Sequence, residues 1–254
     1  MQVEHLSASR IKTYQQCPLQ YHAVYDLGMG GEPHPLTVMG SAIHEMFELA
    51  TNTHLGIGDC ESLDPLWYKS MAVKKHNVDE DLWPLIDQLV SNGIQWGYFR
   101  NVARTVGCEV EVDFTLPDET KVTGFIDRFD VAPPIADVVD LKTQKREFDD
   151  ITLPDNWQAR IYNIGARKIR QDVVGKISIS FWLLRHRVQR VWLTGEDAER
   201  DVKELMGIAN EIRSCEEPDA RPSGLCPWCA YHSKCDASKE GLKSKFRRKS
   251  CAKR

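Results

Sequence analysis

Three cysteines close to one end of this chain, Cys226, Cys229 and Cys235, have a counterpart, Cys17, close to the other. The spacing C-x2-C-x5-C lets two thiolates face one centre while the third closes the loop around it. A tetrahedral or cubane site then asks for one more ligand. If Cys17 supplies it, every fold open to the chain must bring residue 17 within a few ångströms of residue 226. Closing a loop of that length costs on the order of several kcal/mol, which metal–thiolate bonds readily offset. The spacing suits zinc as well as iron. His232, inside the same segment, is a spare nitrogen in a zinc site.

Eight cysteines also raise the question of disulfides. The first residues, Met-Gln-Val-Glu-His, lack the basic and apolar regions of a secretion signal. No apolar run approaches the ~20 residues that a membrane helix needs. The expected compartment is therefore the cytoplasm, where clustered cysteines read as metal ligands or free thiols. Cys60, Cys108, Cys215 and Cys251 have no ligand-like neighbours and read as buried or incidental thiols.

The chain of 254 residues suffices for one large domain with an appendage. Ser7 is the expected cap of a helix over Ala8–Gln16, with Ser9 as the alternative cap, and a second helix is expected over Leu19–Tyr25. Glycines and prolines make 28–35 a loop. Helical periodicity then runs over Val38–Thr51 and, after a stretch without clear pattern, over Leu82–Arg104. From Cys108 the period changes to two. Strands are expected over 108–116, Lys121–Val131 and Val138–Lys142, with a turn at Pro117–Thr120. A helix over Trp157–Arg170, strands over Lys176–Arg185 and Gln189–Thr194, and a helix over Glu196–Cys215 complete the pattern. The expected fold class is α/β, a central mixed sheet flanked by helices. The expected organisation is a helical segment over 1–37 carrying the first cluster cysteine, a core over 38–215, a cluster-binding segment over 216–238, and a basic, disordered tail over 239–254.

Within the core, Asp127 lies in a strand after Gly124, while Asp140 and Lys142 lie two apart in the next strand and so share a face. Val138, Val139 and Leu141 mark that strand as mostly buried, where an acid and an amine cost energy unless a site needs them. A bare Asp-x-Lys is also an ordinary salt-bridged pair at a strand end, so the surroundings decide. Gln158 and Tyr162, four apart, share one helix face and are placed to contact a ligand or brace the lysine. His44 on an earlier helix can add a nitrogen ligand. Glu109 and Glu111, alternating in a strand, are expected to face solvent. Carboxylates beside an ammonium suit hydrolysis at a bound Mg2+ or Mn2+, which prefers oxygen ligands and keeps several waters.

The set His44, Gly-x-x-Asp127, Asp140-x-Lys142-Thr and Gln158-x-x-x-Tyr162 resembles the PD-(D/E)XK nuclease superfamily, in particular its RecB-like exonuclease branch. Met39-Gly-Ser-Ala-Ile-His44 is similar to the histidine motif of that branch. The third motif here carries Asp140 where many relatives have Glu. The resemblance implies a restriction-endonuclease-like core. It implies His44, Asp127 and Asp140 as ligands of Mg2+ or Mn2+, Lys142 as catalytic, and Gln158 and Tyr162 as supports of the site. Ser7-x-Ser…Tyr14-x-x-Cys17-Pro, paired with the terminal cysteines, resembles the iron–sulfur staple of CRISPR-associated RecB-like exonucleases and of AddB-type nucleases. That implies a [4Fe–4S] cluster on Cys17, Cys226, Cys229 and Cys235, with Zn2+ as the alternative.

The implied function is metal-dependent DNA hydrolysis, as an exonuclease on single-stranded ends, in recombination, repair or CRISPR-type processing. The alternatives are a catalytically idle DNA-binding or structural subunit of a helicase–nuclease-like complex, and a zinc-stapled RNA-processing enzyme. No Gly-x-x-x-x-Gly-Lys-[Ser/Thr] loop occurs, so unwinding would come from a helicase or recombination partner. A net charge of -4 neither favours nor excludes nucleic acid, because binding depends on where the charge sits. Nothing in the sequence marks a subunit interface, and the oligomeric state stays open.

Overall fold

The computed structural model describes residues 1–57, 62, 64–100 and 102–238. The basic tail, Cys60 and Cys251 lie outside the described residues. The chain divides into two compact units, one of Pro33–Phe114 with Val122–Val202, the other of Met1–Glu32, Thr115–Lys121 and the chain from Lys203.

The first of these holds the sheet. Strands β1 (Thr105–Thr115), β2 (Lys121–Ala132), β3 (Ile135–Lys142), β4 (Ile177–Leu183) and β5 (Val188–Leu193) lie in sequence order. β2 and β3 are antiparallel, β3 and β4 parallel, β4 and β5 antiparallel, so the expected mixed sheet is present. A parallel pair needs a crossover, and helix α6 (Trp157–Ile169) supplies it between β3 and β4. Asn156 starts α6 by accepting the amides of Gln158 (2.9 Å) and Ala159 (3.3 Å). From Ala159 to Ala166 every residue of α6 is buried.

Helix α3 (Pro35–His54) is longer than its periodicity suggested. Pro35, assigned to the loop from sequence, is its first residue, where a missing amide hydrogen costs nothing. Met39, Ile43, Met46, Phe47 and Ala50 of α3 join Val139, Leu141 and Trp182 of the sheet in one apolar core. The patternless stretch contains a helix, α4 (Pro65–Lys75), capped by Asp64. The next helix, α5 (Trp83–Gln95), stops well short of Arg104, because the chain turns through left-handed Gly97 (φ 86°).

In the other unit, Ser7 caps helix α1 (Ala8–Gln16) by accepting the Arg10 amide at 3.3 Å. Cys17 and Pro18 end α1 and begin the four-residue α2 (Pro18–Tyr21), after which a π turn over His22–Asp26 replaces the expected continuation of the α-helix. Helix α7 (Gly195–Ser214) starts in the sheet unit and ends here. Tyr14 donates to Glu211 of α7 at 3.0 Å, and Arg213 donates to Thr120 at 2.7 Å.

Candidate metal-dependent active site

Four elements converge at the end of β3. Pairing between β2 and β3 runs from Ala132↔Ile135 to Arg128↔Val139 and stops there. Two residues beyond Val139 the Leu141 amide donates to the Asp127 carboxylate at 2.5 Å. A side chain thus stands where a backbone carbonyl would continue the ladder, and Asp127 is fixed at the opening between the strands. Its other oxygen lies 3.1 Å from His44 Nδ1 on α3. His44 and Asp127 join Glu109 in a group whose donor atoms all lie within 4.8 Å of one another.

Glu109 departs from the sequence expectation. Strict alternation would turn it to solvent, yet it is half-buried. Its backbone is left-handed, with φ 46°, a conformation uncommon for any residue but glycine. The alternation of exposed and buried residues lapses over Gly107–Val110 and resumes beyond. One non-extended residue re-aims the side chain, as bulges next to active sites do. Glu111 remains exposed.

Asp140, expected beside Asp127 as a ligand, has both oxygens engaged by protein. The Lys142 ammonium lies 2.6 Å from Oδ2. Gln158 Nε2 donates to Oδ1 at 2.8 Å and to the Tyr162 hydroxyl at 2.7 Å. That hydroxyl lies 3.1 Å from Asp140 Oδ1 and also reaches the Phe125 carbonyl. The α6 pair therefore braces the aspartate rather than the lysine.

The electrostatics reflect carboxylates crowded out of water. Burial pushes Glu109 up to about 7, and Asp127 and Glu48 add to it. Burial likewise raises Asp140, although Lys142 opposes it. Burial works to lower His44, but the Asp127 carboxylate and its hydrogen bond prevail, and the imidazole is raised. Burial holds the Tyr162 phenol neutral far beyond its usual range. The groups open into a cleft of about 790 Å3 lined by His44, Glu48, Glu109, Asp127 and Lys142 among others. An imidazole with two carboxylates at this separation fits Mg2+ or Mn2+ in donor number and chemistry.

The cysteines gather separately. Cys17 lies between α1 and α2, and Cys226, Cys229 and Cys235 on and beside two short 3-10 turns. Burial raises the Cys229 thiol, and Cys17, Cys226 and Cys235 raise it further, so all four lie within electrostatic reach. The Arg221 amide donates to Cys17 Sγ (3.4 Å) and the Ser223 amide to Cys226 Sγ (3.2 Å). The donor set suits a thiolate-bound metal centre. His232 is turned to Ser238, 3.0 Å from its Nδ1. Cys108 stands apart, its thiol pushed up to about 12 by burial, which leaves it inert.

A family model described as the PD-(D/E)XK nuclease superfamily matches residues 5–236. A crystal structure of a protein from Eubacterium rectale, described as a putative exonuclease, superposes with a TM-score of 0.56 at 15% identity, covering 93% of this chain and 88% of that one. At that identity the likeness is one of fold. A crystal structure of SSO0001 gives a TM-score of 0.37 at 15% identity over 76% of this chain and 95% of that one. No curated protein matches the sequence.

Proposed function

This chain belongs to the PD-(D/E)XK nuclease superfamily, and we propose that it is a divalent-metal-dependent deoxyribonuclease, an exonuclease on single-stranded DNA ends, of the RecB-like branch. The reading rests above all on the convergence of His44, Glu109, Asp127 and Lys142 on one cleft, with buried Asp140 paired to Lys142 behind it.

His44, Glu109 and Asp127 are the proposed ligands. Asp140, held by Lys142, Gln158 and Tyr162, would be a further ligand. A bound Mg2+ or Mn2+ would supply a Lewis acid for the phosphate and a water acidified enough to attack it. The other work falls to side chains. Lys142 offers its charge where negative charge grows on the phosphate oxygens. Gln158 and Tyr162 hold the Asp140 carboxylate in one orientation, so that little reorganisation accompanies reaction. Asp127 orients the His44 ring through Nδ1, as carboxylates do for metal-bound imidazoles.

Cys17, Cys226, Cys229 and Cys235 are proposed to hold a [4Fe–4S] cluster that ties residues 1–37 to residues 216–238. Iron and sulfide analysis of anaerobically purified protein tests this. Zinc in place of iron would refute it. The proposed setting is the cytoplasm, with a helicase or recombination partner supplying unwinding. Among the described residues no helix is long and apolar enough to cross a membrane.

Digestion of strands labelled at the 5′ or the 3′ end, with and without Mn2+, tests the activity. Lys142→Ala is expected to lower kcat by about 10²–10³-fold, the usual effect of removing one group that stabilises transition-state charge, while DNA binding persists. Unchanged cleavage by that variant would mean another site or a contaminant.

A further inference from the structure

Four cations line the cleft, and two are already committed. Lys142 pairs with Asp140 at 2.6 Å and Lys75 with Glu45 at 2.5 Å. Lys145 and Arg185 have no carboxylate partner among the described residues. Arg185 donates Nε–H to the Thr143 carbonyl at 2.7 Å, which fixes its side chain while the terminal amino groups stay available. The two residues follow the ends of β3 and β4, neighbouring parallel strands in which Lys142 pairs with Leu183. They thus form one basic rim beside the candidate metal ligands.

Phe125 is the second unexplained feature. It is 54% exposed, although the strand is buried from Ile126 to Asp130. A Cβ on Gly124 would meet Tyr162 of α6 at 3.6 Å, so adjacent Phe125 points away from α6. Asp127, two residues on, reaches His44 of α3, on that same side. Tyr162 grips the Phe125 carbonyl, so the ring rises from a fixed backbone. An exposed ring on a fixed backbone two residues before Asp127, together with a basic rim along the cleft, has the chemistry of a single-strand track, phosphates on cations and bases on an aromatic face. A duplex keeps its base faces covered and offers such a ring nothing to stack on.

We propose that Lys145 and Arg185 hold phosphates of the strand being cut and that an unpaired base near the scissile bond stacks on Phe125, so that these residues select single-stranded substrate. The proposal rests on the nuclease reading above and deepens it. All three are positioning residues.

The test uses the full chain with oligonucleotides carrying one abasic residue at successive positions. Cleavage is measured with Mn2+, and binding with Ca2+ over a salt series. Phe125→Ala should raise KM on single strands roughly tenfold, as loss of one stacked base does, and by a smaller factor on duplex. One abasic position should cost the wild type a similar factor and cost Phe125→Ala nothing more, while Phe125→Trp restores the wild-type behaviour. Arg185→Gln and Lys145→Gln should each lower the slope of log affinity against log salt by about 0.7, a slope that Phe125→Ala leaves intact. Should Phe125→Ala fold poorly, Phe125→Leu keeps the apolar bulk without the ring. An abasic penalty that survives in the Phe125 variant overturns the proposal, as does equal loss on duplex and single strand, or an unchanged slope in both charge variants. Wild-type protein that cuts no DNA would refute the nuclease reading alone, and the binding measurements would still decide the track.

Discussion

Glu109 carries the sharpest consequence at the scale of single residues. Its folded-state pKa of about 7 lies above the ordinary 4.5, so between those values the folded protein holds a proton that the unfolded chain has released. Stability from this group is fully present below pH 4.5 and is lost as pH rises through about 7. His44 and Asp140 are raised as well and act in the same direction. Metal-free protein should therefore melt at a lower temperature as pH climbs through neutrality, and Glu109→Gln should flatten that dependence. A bound cation reverses the sign, because it needs the carboxylate ionised. The stabilisation given by Mn2+ in differential scanning calorimetry should grow with pH over the same interval. A metal effect independent of pH would remove Glu109 from the ligand set. Asp127, Asp140, Lys142, Gln158, Tyr162 and His44 could be proposed from the sequence because they sit in regular elements at fixed spacings. Glu109 could not, because its approach to His44 and Asp127 depends on one left-handed residue inside a strand, and alternation has no means of signalling it.

At the scale of elements, the strands and the capped helices were largely readable, since burial imposes periods of two and 3.6 on the sequence. What escaped was local. Helix α4 buries Tyr68, Ala72 and Val73 but leaves Leu66, Trp67 and Met71 exposed, so its apolar residues do not form one clean stripe. The end of α5 depends on left-handed Gly97 rather than on a loss of hydrophobic pattern. Packing between elements also overrides propensity. In isolation Gly93→Ala would favour α5 by about 1 kcal/mol. Here the new methyl would sit 2.6 Å from Cζ of fully buried Phe47 and 3.2 Å from Leu184. Overpacking of that kind costs about 1–3 kcal/mol, so Gly93→Ala should lower stability in urea unfolding. A gain would mean that α3 and α5 are less tightly packed than described.

At the scale of the whole molecule, the sequence carries two constellations that chemistry keeps apart, thiolates for a soft metal centre and carboxylates with an imidazole for a hard cation. The distant Cys17 could be proposed as partner of the terminal cysteines because three ligands leave a site incomplete, and it lies within electrostatic reach of Cys229. The sequence does not choose the proposed metal, since zinc and iron accept the same four thiolates. Cys17→Ser should lose the cluster metal and lower the melting temperature, while Cys108→Ser, at an isolated thiol, should keep the metal. Equal metal content in the two variants would separate Cys17 from the cluster. The proposed activity depends on the hard-cation site, and anomalous diffraction from a crystal soaked in Mn2+ tests that site most directly. The expected result is a manganese ion about 2 Å from donor atoms of His44, Glu109 and Asp127, beside Asp140 and Lys142. Manganese bound elsewhere, with those three side chains left without metal, would contradict it.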